Sequence, residues 1–327
     1  MKRIAINGMG RIGRASLKLI LDSPSLELVA VNDIAPIGNI AYLIKYDSSH
    51  GVYPGKISFK DTTLRIGSHD IKFFNQRNPE KLPWENLQVD VVLECTGVFT
   101  LEEDAIKHLE AGAKKVVISG PSKSPTIPTI VHGVNSEKAL ASVISAASCT
   151  TNNISPIVEI LGRRIGIRKA IMTTTHANTA TNTTVDLPSS NNRMGRSGIN
   201  NIIPTTTGAA TATTKALPQY QGKFDGVSVR VPVTVGSLSD ITMILEKQTT
   251  VDEVNKILEE EALSPRYHTI LRTTYDAIVS SDIIKDPHAS IADLSMTKLV
   301  DGDLLKVLTW YDNEWGFANQ LIRQISA

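Results

Sequence analysis

The sequence is short of the features that mark specialised environments. Only two cysteines, Cys95 and Cys149, occur among its 327 residues. Two thiols are no disulfide framework, and a reduced, cytoplasmic compartment is expected. No apolar run approaches the roughly 18 uninterrupted residues of a membrane span. Neither sign of charge dominates, since 34 Lys and Arg stand against 33 Asp and Glu. Neither nucleic acid nor a membrane surface is therefore expected as the main partner. The opening MKRIAINGMGRIGR lacks the long apolar stretch and cleavage site of a secretory signal. No Cys/His cluster has zinc spacing, so no metal is expected. There is no internal repeat.

What is present is ordinary globular material, with 41% hydrophobic and 20% charged residues, and a length that suggests two domains. The first part alternates strand and helix patterns. Strands are expected at 3–7, 26–31, 71–74, 89–94, 115–119 and 142–146, and helices at 13–21 and 102–111. Such alternation argues for a mostly parallel α/β sheet with helices on both faces, residues 1–148, which reads as a Rossmann dinucleotide-binding domain once joined with the Gly8-x-Gly10-x-x-Gly13 motif that ends its first strand. Beyond it, a helix at 154–164 leads into strand-like runs at 170–175, 226–231, 239–246, 277–279, 290–294 and 304–310. These predict an α+β domain with a largely antiparallel sheet, residues 149–313. An amphipathic helix at 314–325 could pack back, so residues 314–327 are assigned to the first domain. Two Thr-rich segments, 173–184 and 205–215, read at first as surface loops.

The run Ile4–Arg14 is a strand that ends in G-x-G-x-x-G. Gly8 allows the tight turn, Gly10 lets backbone approach a pyrophosphate, and Gly13 permits close helix–strand packing. The helix that follows offers free N–H groups to phosphates. The motif alone is weak. Here a second strand ends in Asn32-Asp33, which puts an acid where ribose hydroxyls are held. An acid there repels a 2′-phosphate, so NAD is favoured over NADP.

Cys149 falls in Ala146-Ala147-Ser148-Cys149-Thr150-Thr151-Asn152, between a strand and a helix. A helix N-terminus lowers a thiol pKa, and thiolate is the reactive form. Cys95, in an apolar strand, reads as an inert small hydrophobe. Of seven histidines, His50, His69, His108, His268 and His288 read as surface or packing residues, and His132 is ambiguous. His176 lies where a strand gives way to a polar loop, a place suited to a base.

Several strings carry a resemblance along essentially the whole chain. They are INGMGRIGR at 6–14, VND at 31–33, KYDSSHG at 45–51, ASCTTN at 147–152, TTTHANT at 173–179, IIPTTTGAA at 202–210, RVP at 230–232 and WYDNEWG at 310–316. In these the chain closely resembles the glyceraldehyde-3-phosphate dehydrogenase family, of the phosphorylating, NAD-dependent glycolytic type. The resemblance implies that Cys149 adds to an aldehyde and that His176 is its base. It implies a hemithioacetal, then a thioester cleaved by inorganic phosphate. Thr179 and Arg230 match residues on the substrate phosphate; Ser148, Thr150, Arg196, Thr207 and Gly208 match residues around the attacking phosphate. Arg193 is left as a solvated side chain. Gly8, Gly10, Arg11, Ile12, Gly13, Asp33, Arg77, Thr96, Ser119 and Asn313 match cofactor contacts. A homotetramer is implied by the resemblance alone.

The sequence departs from the family's pattern at Asn153 (usually Cys), Asn178 (often aromatic), Phe317 (often Tyr), Gly120 (Ala) and Val233–Val235. None removes a chemical role, but Asn178 and Phe317 bear on substrate choice. Erythrose-4-phosphate dehydrogenase is the nearest rival; a semialdehyde dehydrogenase and a non-catalytic NAD-sensing or RNA-binding module are farther ones.

Overall fold

The structure, a computed structural model, describes residues 1–326. It divides into two compact units. One comprises Met1–Ile130, Ser136–Ala147 and the chain from Leu321 onward; the other comprises Val131–Asn135 and Ser148–Gln320.

The first unit holds β1 (Lys2–Asn7), α1 (Arg11–Leu21), β2 (Leu26–Asn32), α2 (Ile37–Lys45), β3 (Ile57–Lys60), β4 (Thr63–Ile66), β5 (His69–Phe74), β6 (Val91–Glu94), α3 (Glu102–Glu110), β7 (Lys115–Ile118) and β8 (Val143–Ser145). Its eight strands run in the order β3-β4-β5-β2-β1-β6-β7-β8. All pairings from β5 to β8 are parallel, and only the β3-β4-β5 edge is antiparallel. Consecutive residues such as Ile4, Ala5 and Ile6 or Ala30 and Val31 are all buried, as expected of parallel strands covered on both faces. The sheet reverses direction of growth at β1, with β2 on one side and β6 on the other. That switch point, at the strands' carboxyl ends, is where open α/β sheets bind ligands.

The second unit holds α4 (Cys149–Arg164), β9 (Ile167–Ala177), β10 (Ile203–Thr206), α5 (Ala209–Ala216), β11 (Phe224–Val231), β12 (Ser237–Leu245), α6 (Val251–Ala262), β13 (Leu271–Thr274), β14 (Ser290–Val300) and β15 (Leu304–Tyr311), and α7 (Trp315–Ser326) follows. Its sheet runs β10-β11-β9-β12-β15-β14-β13. Four pairings are antiparallel and two, β11–β9 and β13–β14, are parallel. The alternation of buried and half-exposed residues along β12 shows one face turned inward. On the other face Ile171, Val227 and Leu304 remain exposed.

Two expectations are corrected. Residues 277–279 form no strand: Ile278 N donates to Asp276 O at 2.8 Å and Val279 N to Asp282 Oδ2 at 2.8 Å, so local turns take the bonds a ladder needs. The 205–215 segment is not a loop; it contains part of β10 and nearly all of α5, because its alanines and Thr213 bury one face of a helix.

Candidate active site

Cys149 is the first residue of α4, and Ser148 is its cap, with Ser148 Oγ accepting from Thr151 N at 3.1 Å. Ala147, just before, is buried and held at φ 60, in the left-handed region. That sharp turn delivers the strand's end into the helix N-terminus. His176 lies in β9, one residue from its end. Cys149 Sγ and His176 Nε2 are 3.4 Å apart. The neighbouring strand β11 is in register, with Arg230 opposite His176. The two sequence-predicted reacting groups and one predicted anion-binding arginine are thus brought together.

The electrostatics differ from the sequence expectation. Burial pushes the Cys149 thiol up, against the opposing pull of the Arg230 charge and of hydrogen bonds from Thr150. Burial and then the Arg230 charge lower His176 to about 4, although its bond to Ala177 O works the other way. Burial thus works against charge on both groups, pushing the thiol up and the imidazole down. The helix N-terminus favours the anion, but desolvation outweighs it.

The imidazole's other nitrogen is contested. His176 Nδ1 lies 2.7 Å from Ala177 O and 2.5 Å from Arg230 Nη1. With its proton on Nδ1, donated to Ala177 O, the ring presents Nε2 to sulfur as an acceptor. That is the form a base requires.

A residue that sequence reasoning passed over is Tyr311. Its hydroxyl shares hydrogen bonds of 2.8 Å with Thr150 Oγ1 and of 2.8 Å with Thr174 Oγ1. It ties the first turn of α4 to β9, and so sets the spacing of Cys149 and His176. Its ring meets the imidazole edge-on at 6.0 Å between centroids. The signal available was a tyrosine inside WYDNEWG, at the buried end of a strand.

The remaining anion-site residues are dispersed. Thr179 is half-buried and its hydroxyl shares a 2.9 Å bond with Thr181 Oγ1. Gly208 caps α5 without a side-chain bond, and open space surrounds its Cα. Thr207 Oγ1 accepts from Ala209 N at 3.1 Å. Arg196 is exposed and paired with Asp186 at 2.7 Å, so in this chain it occupies the solvated setting that sequence reasoning had reserved for Arg193. Asn313 is buried, its Oδ1 accepting from Gly236 N and Ser237 Oγ, each at 3.1 Å.

In the first unit the strands that lead to the residues predicted to meet a dinucleotide end around the switch point. Gly8 has φ +95, and a Cβ there would stand 2.7 Å from Thr96 N. At Gly13 a Cβ would collide with Gly8 O. Gly10 caps α1 with no side-chain bond, no acid in the first turn, and nothing within 4 Å of an added Cβ. The helix N-terminus is thus kept open, the arrangement that suits a pyrophosphate. Asp33 Oδ2 accepts from Met9 N at 2.7 Å. The Arg11 guanidinium is committed to buried Asp47 at 2.9 Å. That bond and those from His50 hold the Asp47 carboxyl far below the usual carboxylate range, although burial works against it. Ile12 is half-buried, as are Thr96 and Ser119, and Arg77 is exposed. Among the described residues no group of three or more His, Cys, Asp and Glu side chains could hold a metal ion.

Two comparisons agree with this geometry. Residues 2–102 match the domain described as glyceraldehyde 3-phosphate dehydrogenase, NAD binding domain, and residues 148–313 the one described as its C-terminal domain. The chain is 45% identical over 324 residues to glyceraldehyde-3-phosphate dehydrogenase of Streptomyces coelicolor, covering 98% of this chain and 96% of that one. It is 44% identical to glyceraldehyde-3-phosphate dehydrogenase 1 of Kluyveromyces lactis, over 98% of both chains. It is 43% identical to the Clostridium acetobutylicum enzyme of that name, over 100% of this chain and 98% of that one.

Proposed function

The chain belongs to the glyceraldehyde-3-phosphate dehydrogenase family, and we propose that it oxidises D-glyceraldehyde 3-phosphate to 1,3-bisphosphoglycerate by way of a thioester on Cys149. The observation that carries this reading is the 3.4 Å approach of Cys149 Sγ to His176 Nε2 at a helix N-terminus. The reaction serves glycolysis and its reverse.

The cofactor is NAD. Its pyrophosphate suits the open N-terminus of α1 between Gly8, Gly10 and Gly13, with main-chain N–H groups of Arg11 and Ile12. Asp33, Arg77, Thr96 and Ser119 would hold its adenosine half. When bound, NAD supplies the hydride acceptor. Asn313 has its Oδ1 already occupied, which leaves its amide N–H2 to meet a carboxamide carbonyl.

His176 Nε2 takes the thiol proton as sulfur attacks the aldehyde carbon, and returns it to the oxygen to give a hemithioacetal. Neutral again, His176 accepts that hydroxyl proton as the carbon loses hydride and becomes a thioester. Inorganic phosphate attacks the thioester carbon, the C–S bond breaks, and the imidazolium reprotonates the departing sulfur. On this reading Thr179 and Arg230 would hold the substrate's phosphate. Ser148, Thr150, Arg196, Thr207 and Gly208 would receive the attacking one, since hydroxyls, main-chain N–H groups and a forked cation bind an anion.

We also propose a homotetramer in the cytoplasm. Support for assembly is the uncovered sheet face with Ile171, Val227 and Leu304, which are 59%, 48% and 40% exposed. Two free cysteines suit a reducing compartment, and among the described residues no helix is long and apolar enough to cross a membrane. The test is NADH formation from glyceraldehyde 3-phosphate with phosphate present and then omitted, beside the same assay with erythrose 4-phosphate. Turnover that needs no phosphate, or that prefers the four-carbon sugar, would overturn the assignment. Light scattering on the purified chain tests the tetramer.

A further inference from the structure

Asn32, Asn7 and Glu94 stand opposite one another at the carboxyl ends of β2, β1 and β6. Asn7 pairs with Asn32 in one ladder and with Glu94 in the other. All three side chains are buried. Asn32 Nδ2 donates to Asn7 Oδ1 at 2.7 Å, and Asn7 Nδ2 donates to Glu94 Oε2 at 2.6 Å. From the other side, Trp84 Nε1 donates to His108 Nδ1 at 3.0 Å. The imidazole proton must then sit on Nε2, which donates to Glu94 Oε2 at 3.1 Å. Glu94 Oε1 accepts from Thr96 N at 2.7 Å and also from Thr96 Oγ1. The Asn7 amide, the His108 ring N–H, and the N–H and hydroxyl of Thr96 all donate to one carboxylate. His108, read from sequence as a surface or packing residue, is fully buried within it.

Among the described residues this buried carboxylate pairs with His108 and with no lysine or arginine, an expensive way to fill a core. Its location gives it a purpose. The residue after Asn7 is Gly8, the residue after Asn32 is Asp33, and Thr96 follows Glu94 by two. Each cofactor loop therefore begins one or two residues from the row. The loops also touch: Gly8 has no room for a Cβ against Thr96 N, and Asp33 holds Met9 N.

We propose that Glu94 is a positioning residue for the dinucleotide, fixing the Gly8 turn, Asp33 and Thr96 at one spacing through Asn7, Asn32 and His108. The proposal rests on the NAD reading above and deepens it. It also sets the polarity of Thr96. Its N–H and its hydroxyl proton are both spent on Glu94, and its Oγ1 accepts from Val98 N at 3.1 Å. Thr96 can meet the cofactor only as an acceptor, so a cofactor hydroxyl must donate to it.

The experiment is calorimetric NAD binding to the full chain. Glu94→Gln puts an amide N–H2 against donors that cannot all turn away. The Kd for NAD is expected to rise at least tenfold, while iodoacetamide alkylates Cys149 at an unchanged rate without cofactor. Asn7→Asp combined with Glu94→Gln exchanges amide and carboxylate and should recover part of the loss. Trp84→Phe keeps most of the volume, removes only the terminal N–H, and should weaken binding two- to fivefold. A Glu94→Gln chain that binds NAD within twofold of the original overturns the proposal. If that variant does not fold, Trp84→Phe decides, and undiminished NAD binding by it overturns the proposal. No NAD binding by the unaltered chain would instead overturn the cofactor reading itself.

Discussion

Arg230 Nη1 lies 2.5 Å from His176 Nδ1, and the same nitrogen donates to Ala177 O at 3.1 Å. The guanidinium thus competes with the imidazole for one carbonyl and depresses the base. It also favours the thiolate of Cys149. Arg230→Leu should move the two groups in the same direction, both upward. His176 is expected to rise from about 4 toward its ordinary 6.5, read by NMR of ring-labelled histidine. Alkylation of Cys149 at pH 7 should slow several-fold. An unmoved imidazole resonance would show that the contact carries no electrostatic weight.

Acid should weaken the fold through the same histidine. The unfolded chain binds a proton near pH 6.5 and the folded one not until about 4, so the unfolded state holds more protons between those values. The stability that His176 contributes is whole above 6.5 and is lost as pH falls toward 4. Its full size is about 3 kcal/mol, an upper figure. Urea midpoints measured from pH 7 to 4 should fall less steeply in His176→Asn. Parallel curves for the two proteins would count against a neutral, buried imidazole.

Asn153 is a structural residue despite its place one turn beyond the nucleophile. It is fully buried, and its Nδ2 faces Ala289 O, Thr309 Oγ1 and Trp310 O at 3.2, 3.1 and 3.2 Å. Asn153→Ala strands those acceptors and should cost about 1–3 kcal/mol in denaturant unfolding. Turnover at saturating substrate should stay within threefold, which a part in the chemistry would not allow.

Ala147 occupies the left-handed region at φ 60 with no room around it. A β-branched side chain is strongly disfavoured there. Ala147→Val should lower stability by about 1–3 kcal/mol and slow Cys149 alkylation, since the turn aims the sulfur. Full retention of alkylation in a folded variant would detach that turn from the nucleophile's placement.

Discrimination between cofactors should follow Asp33. Replacing it with Ser removes the carboxylate that accepts from Met9 N and Ala35 N at 2.7 and 2.8 Å, and with it the repulsion of a 2′-phosphate. The NADP-to-NAD ratio of kcat/KM should rise at least tenfold. A constant ratio would place the discrimination elsewhere.

The parts of the molecule legible in sequence were those whose signal is local. The β1–Gly8–α1 unit announces itself because strand period, glycine spacing and helix onset fall within fourteen residues. The helix α6 was within reach too, since Thr250 caps it by accepting from Glu253 N, yet its polar face hid the periodicity. Short strands such as β3, β4 and β13 carry too few residues for a period to show. The buried row at Asn7, Asn32, Glu94 and His108 was invisible for a different reason. Polar residues at strand ends read as loop entries, and only the register of three strands reveals that they face one another. The upward push of burial on the Cys149 thiol was not legible either, because a helix N-terminus is readable from sequence and desolvation is not.

Gly13 constrains this protein in a way that outlasts any single function. The obstacle to a side chain there is the carbonyl of Gly8, part of the main chain. A clash between side chains can be relieved by a second substitution; a clash with backbone offers nothing to substitute. Screens for suppressors of a Gly13→Ala defect should therefore return reversion alone, which makes this position a fixed point around which the neighbouring sequence is free to drift.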